Sequence, residues 1–243
     1  MLIQSTSITV NYEKINGLKK VYYTNEDLLR NHFNEATVLP VPDDAPEEIP
    51  RIIVRTLHEH AQLNISPTAA SFEVKYNDGF ERNWKSCAAY IKERMTTVFD
   101  FLNLLTNNNY KYTGIITTIL YDEISDKGTE KLTHTLLNTD SIEDIHDINI
   151  KYTFTEGDNI FVNIMLENAR LFKEELKGNN AGDFNSNNQL GESIGAVIDI
   201  NDRCGFNNNL NYHSNSSILP LLVDSMTNVI DNKLSALIEK GEY

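Results

Sequence analysis

Two stretches constrain this chain more than any other feature. Between residues 83 and 106, and again between 218 and 240, apolar side chains recur at spacings of three and four. Trp84, Cys87, Ala88, Ile91, Met95, Val98, Phe99, Leu102 and Leu105 form the first stripe. Leu219, Leu222, Val223, Met226, Val229, Ile230, Leu234, Leu237 and Ile238 form the second. That spacing predicts two long amphipathic helices, Asn83–Thr106 and Ile218–Lys240. Asn107, Asn108 and Asn109 close the first, and Gly241 is a suitable stop for the second. Each wide stripe needs a partner surface, and the segments between the helices supply one.

Those segments alternate with period two. Ser5–Tyr12 places Ile8, Val10 and Tyr12 on one face. Arg51–Leu57, Ala61–Ser66 and Ala70–Tyr76 read as three antiparallel strands. In the third, Phe72, Val74 and Tyr76 oppose Ser71, Glu73 and Lys75, and Asn77-Asp78-Gly79 turns the chain. Tyr110–Tyr121 is rich in β-branched residues. Ile148–Thr155 alternates, and Glu156-Gly157-Asp158-Asn159 turns it back into Ile160–Phe172. Ile194–Ile200 is an apolar run of strand length, suited to a buried central strand. The fold class is therefore α+β: antiparallel or mixed sheets covered by two long amphipathic helices. The chain reads as a single domain, 1–243, with a pseudo-duplicated two-layer arrangement of halves 1–125 and 126–243 as the alternative.

Shorter features complete the picture. Thr24 with Asp27 resembles a capping box for a helix over Asn25–Phe33. The prolines of Val38–Pro50 predict a rigid, extended connector. Asp126 is a plausible cap for a helix over Lys127–Leu137. Lys177–Ser193 and Asp202–Ser217 are rich in Asn, Gly and Ser and are expected to be loops, the first of them mobile.

Charge and cysteine content narrow the function. With a net charge of -14 and no basic cluster longer than Lys19-Lys20, the chain repels phosphate backbones, so direct nucleic-acid binding is disfavoured. No apolar run is long enough to cross a bilayer, and Met1–Val10 lacks the pattern of a signal peptide. Only Cys87 and Cys204 are present, and neither has a metal-ligand companion at short spacing, which suits the reducing cytoplasm.

Candidate chemistry is sparse. Glu73-Val74-Lys75 on a strand, with Pro42-Asp43 upstream, has the residue types of a PD-(D/E)xK nuclease: carboxylates to hold Mg²⁺ and a lysine to orient water. Asp43 stands in a proline-rich connector and not at a strand end, and alternation alone makes Glu73 and Lys75 a solvent face. Asp199 and Asp202, with Arg203, follow the buried strand and are the alternative metal ligands, or the acids of an Asx-type turn. His58-Glu59-His60 offers two imidazoles without a third ligand, at a point where a hairpin must turn. There is no Walker A loop, no G-x-G-x-x-G and no G-x-S-x-G, so no cofactor is implied.

The order of features resembles a sporadically distributed bacterial family of uncharacterised α+β proteins found among mobile and defence genes. The resemblance rests on the N-terminal strand and on Phe33–Pro50 entering the Arg51-Ile-Ile-Val strand. It continues through Trp84 opening a long helix, Ile115–Tyr121, and Ala196-Val-Ile-Asp-Ile-Asn before a C-terminal helix. It implies an accessory role in a bacterial or phage-related defence system and supplies no catalytic residues. The reading that follows is a non-enzymatic interaction or scaffold subunit, a homo-oligomer or the partner of another protein. A metal-dependent nuclease or phosphodiesterase is the alternative. A small-ligand sensor with the Asn-rich loops as a lid is a third.

Overall fold

The computed structural model describes residues 1–42, 44–77, 79–121, 128–137, 145–172 and 189–243. Nine strands form one sheet in the order β2-β3-β4-β5-β1-β6-β9-β8-β7, every neighbouring pair antiparallel. They are β1 (Leu2–Asn11), β2 (Thr37–Val38), β3 (Ile52–Arg55), β4 (Ala61–Ile65) and β5 (Ala69–Lys75), then β6 (Tyr112–Leu120), β7 (Asn149–Glu156), β8 (Ile160–Phe172) and β9 (Gln189–Asn201). The molecule is thus α+β, and its sheet is wholly antiparallel.

The alternation read from the sequence sets which side chains enter the core. Ile8 and Val10 of β1, Phe72 and Val74 of β5, and Ile198 and Ile200 of β9 are buried together. A register shift between Ile3 and Ser5 lets both Ile3 and Thr6 face inward although they are three residues apart. The helix α2 (Trp84–Thr106) starts at Asn83, whose side chain accepts from the Ser86 amide, and ends where Asn107 turns left-handed at φ 54°. The helix α5 (Ile218–Asn228) lies against β6, β9 and α2. The Trp84 indole donates to Thr227 Oγ1 at 2.8 Å and ties α2 to α5.

Several expectations are corrected. Of the two long helices expected to cover the sheet, only α2 runs unbroken. The C-terminal stretch is α5, a π-helical turn at Val229–Lys233, and α6 (Leu234–Lys240), stopped by Gly241 at φ 71°. The other helices are short: α1 (Leu18–Asn25), α3 (Gly128–Leu132, followed by a π-helical turn) and α4 (Arg203–Asn208).

Of the helix expected over Asn25–Phe33 only a 3₁₀ turn at Glu26–Leu28 forms, and the α-helix, α1, lies before it, with Leu18 and Tyr22 on its buried side. Thr24 Oγ1 donates back to the Lys20 carbonyl inside that helix instead of capping the next one. The proline connector is extended only at its start, where Val38 ends β2 and the Leu39 amide donates to the Arg51 carbonyl at 2.8 Å. The buried Arg51 guanidinium donates to the carbonyls of Ala45, Pro46 and Ile49, and the chain curls around it. Residues 189–193, expected in a loop, belong to β9, and the Asn-rich segment after Asp202 contains α4. The expected turn residue Asp78, the expected cap Asp126 and the rest of the Lys177–Ser193 loop lie outside the described residues.

Candidate functional site

Odd and even positions sort the sheet into two faces. One carries the core and the helices. The other has half-buried side chains along β1, β6, β8 and β9. Across these four central strands the register sets out an end row of Leu2, Leu120, Gly195 and Glu167, followed by three central rows. The first is Ser5, Thr118, Val197, Met165; the second is Ser7, Ile116, Asp199, Asn163; the third is Thr9, Gly114, Asn201, Phe161. Ile116 is 42% exposed. Beside the third row, Tyr112 packs on Phe206 at 5.4 Å, and the Arg203 guanidinium sits 5.0 Å above the Tyr112 ring.

The acids picked out from the sequence fall on this map. Glu73 and Lys75 are exposed on β5 and point away from the core, as their alternation predicts. Glu73 lies opposite Ser7, in the row that contains Asp199. Three strand spacings separate the two acids, on the order of 14 Å, too far to share one cation. Asp43, the third member of the nuclease pattern, lies outside the described residues. His58, Glu59 and His60 are exposed on the β3–β4 hairpin, with Glu59 left-handed at φ 57°.

Asp199 and Asp202 face opposite sides of the sheet. On the open face, Asp199 Oδ2 accepts from Asn163 Nδ2 at 3.2 Å and Oδ1 accepts from Asn201 Nδ2 at 2.9 Å. Asp202 continues the core-facing parity of Ile198 and Ile200 and is fully buried. Its Oδ1 accepts from the Thr113 amide at 2.6 Å, and its Oδ2 accepts from the Tyr212 hydroxyl at 2.7 Å. Burial pushes this carboxyl above its ordinary range, and contacts with Ser214, Thr113 and Tyr212 only partly offset the shift. The Tyr212 hydroxyl is raised in turn by burial and by that carboxylate. Asp202 therefore anchors the segment that carries α4. Gly205 belongs to the same lock: a Cβ there would come within 2.7 Å of the Tyr212 ring.

Beside this anchor lies a depression of about 290 Å³, edged by Glu13, Tyr110, Lys111, Phe206, Tyr212 and His213. The Lys111–Glu13 ion pair at 3.1 Å sits at its rim. Its volume is at the bottom of the range of about 300 to 1,000 Å³ typical of ligand pockets. Among the described residues, no group of three or more His, Cys, Asp or Glu side chains could hold a metal ion. Cys87 donates to the Phe80 carbonyl at 3.2 Å, and burial pushes its thiol up to about 11, so it stays protonated at neutral pH. Among the described residues, no helix is long and apolar enough to cross a membrane.

The open face escaped the sequence reading because β6 misleads. Two of its threonines, Thr113 and Thr117, are inside and one isoleucine is outside. Thr117 is buried with its hydroxyl 3.1 Å from that of Thr6, and Thr113 is buried 3.3 Å from the Ser214 hydroxyl, whereas Ile116 is exposed. The one available signal was that β6 is apolar on both parities. No family model and no curated protein matches the chain.

Proposed function

We propose that the protein is a non-enzymatic interaction subunit that binds another protein through the open face of its sheet, in line with an accessory role in a bacterial or phage-related defence system. The observation that carries this reading is the distribution of charge. The chain as a whole has a net charge of -14. Yet the three central rows hold a single ionisable side chain, Asp199, among hydroxyl, amide and apolar groups. Glu73 and Lys75 flank the rows on β5, Lys151 flanks them on β7, and Glu167 stands in the end row on β8. A centre depleted of charge and a charged rim is the anatomy of a protein–protein interface. Asp199 already receives two amide donors, so covering it costs less than burying a bare carboxylate. Tyr112 and Arg203, stacked at one end, are residue types that dominate binding energy in such surfaces.

The test is purification from the native host, with light scattering of the product. The expected mass exceeds that of one chain. Ile116→Lys places an ammonium in the centre of the second row and should weaken the complex about tenfold or more. Thermal unfolding should stay unchanged, because Ile116 is exposed. A complex indifferent to Ile116→Lys, or a product with the mass of a single chain, overturns the reading.

A further inference from the structure

The two ends of the sheet are built differently. At one end β2 has two residues and runs into Pro40 and Pro42, a blunted edge. At the other end β7 has eight residues and contains neither proline nor glycine, and among the described residues no strand pairs with its outer side. Its core-side residues Ile150, Tyr152 and Phe154 are only half-buried. They are also ordered in advance. Phe154 stacks on Tyr243 with ring centres 3.6 Å apart and planes 6° apart, and the Lys233 ammonium lies 4.0 Å from the Tyr243 ring. An aromatic strip beside a row of amide and carbonyl groups that no described strand pairs is a template for strand addition.

We propose that β7 pairs antiparallel with β7 of a second copy of this chain, joining two sheets across a two-fold axis. The proposal rests on the interaction reading above and names the partner and register for a different part of the same sheet. Symmetry and sheet parity leave few registers. Directly opposed residues must lie on the same face, so the axis passes through a residue pair and not between two residues. With the axis at Tyr152, Ile150 meets the partner's Phe154, Tyr152 meets Tyr152, and Lys151 meets the partner's Thr153. With the axis at Thr153, Ile150 would oppose Glu156, which already accepts from Ser225 at 2.7 Å. With the axis at Lys151, two ammonium groups would oppose each other. Of these three, only the Tyr152 register gives each of Ile150, Tyr152 and Phe154 an apolar partner and opposes no like charges. Charge also favours this edge: β7 holds one lysine and one glutamate, so it is locally neutral in a chain of net charge -14.

Sedimentation of the purified chain alone, over rising concentration, measures the dimer, and substitutions at the exposed Thr153 test the register. Thr153→Lys sets a second ammonium against the partner's Lys151, twice by symmetry, and should raise Kd by a factor of about 3 to 10. Thr153→Glu should lower Kd by a similar factor, and so should Lys151→Glu combined with Thr153→Lys, which sets opposite charges against each other again. Melting temperatures of the three variants verify that each monomer is folded. A wild-type chain that stays monomeric up to its solubility limit overturns the proposal, as does a dimer indifferent to these charge exchanges. A dimer that ignores Thr153 but dissociates with Ile116→Lys overturns the β7 joint and leaves the open face as the binding surface. A chain monomeric alone that still forms a complex sensitive to Ile116→Lys has the same meaning.

Discussion

Asp202 shows how one residue can carry a fold detail that its sequence context hides. A polar Asn-rich surrounding suggests a surface turn, yet the carboxylate lies under the sheet end and holds both the Thr113 amide and the Tyr212 hydroxyl. Its ionised form is penalised by burial, so the folded carboxyl titrates above its unfolded counterpart at about 3.8. Between those two values the folded state binds more protons than the unfolded state. Stability therefore falls as pH rises through that window, and the penalty is absent below the unfolded value. Asp202→Asn retains an acceptor for Thr113, and Tyr212 can reverse to accept from the amide. The stability of this variant relative to wild type should grow as pH rises from 3.8 and level off above the folded value. Urea unfolding at a series of pH values measures it. A difference that is constant or shrinks with rising pH contradicts the assignment. Glu192 is the converse case. Burial raises it, but hydrogen bonds from Thr129 and Arg170 outweigh burial and hold it below the ordinary range.

At the scale of elements, local chemistry and packing contribute unequally. The limits of α2 were legible because Asn83 caps it and Asn107 and Asn108 leave it in left-handed geometry. Asn83→Ala removes the side-chain acceptor of the Ser86 amide, which keeps the Asn83 carbonyl at 3.1 Å, and should cost about 1 kcal/mol, with Asn83→Ser close to wild type. The urea midpoint should fall while the slope of the transition stays constant. An unchanged midpoint would mean that the cap bond at 3.2 Å contributes nothing. The proline connector and α1 were misread for one reason. Their conformations depend on which groups are buried, as the Arg51 guanidinium is within the connector and Leu18 and Tyr22 are within α1. No rule of turn chemistry announces a buried arginine that gathers three carbonyls.

For the whole molecule, acidity and architecture act against each other. A net charge of -14 destabilises the compact state through self-repulsion, which salt screens as the Debye length falls from about 30 Å at 0.01 M to about 10 Å at 0.1 M. The melting temperature should rise across that range of sodium chloride. A melting temperature that falls or stays level would show that paired charges such as Lys92–Asp224 and Arg170–Glu192 outweigh the excess. The same excess makes a nearly neutral sheet face unusual for this chain, which is why that face, and not the scattered acids, is the candidate site. The acids of the nuclease pattern were legible as residues but not as neighbours. Glu73 and Asp199 share a row, and only the strand order shows that β1 and β6 stand between their strands.

The sequence by itself determined the α+β class, the antiparallel pairing of β3, β4 and β5, the core parity of most strands and the limits of α2. All of these follow from period and turn chemistry within a few residues. The tertiary structure alone decided that the nine described strands join one sheet with β1 beside β6 and β9 beside β8. It also decided that Thr113 and Thr117 enter the core while Ile116 faces out. Strand order and the choice of covered face depend on which distant segments meet, and pairing free energy across a sheet is not encoded in the local period of any one strand.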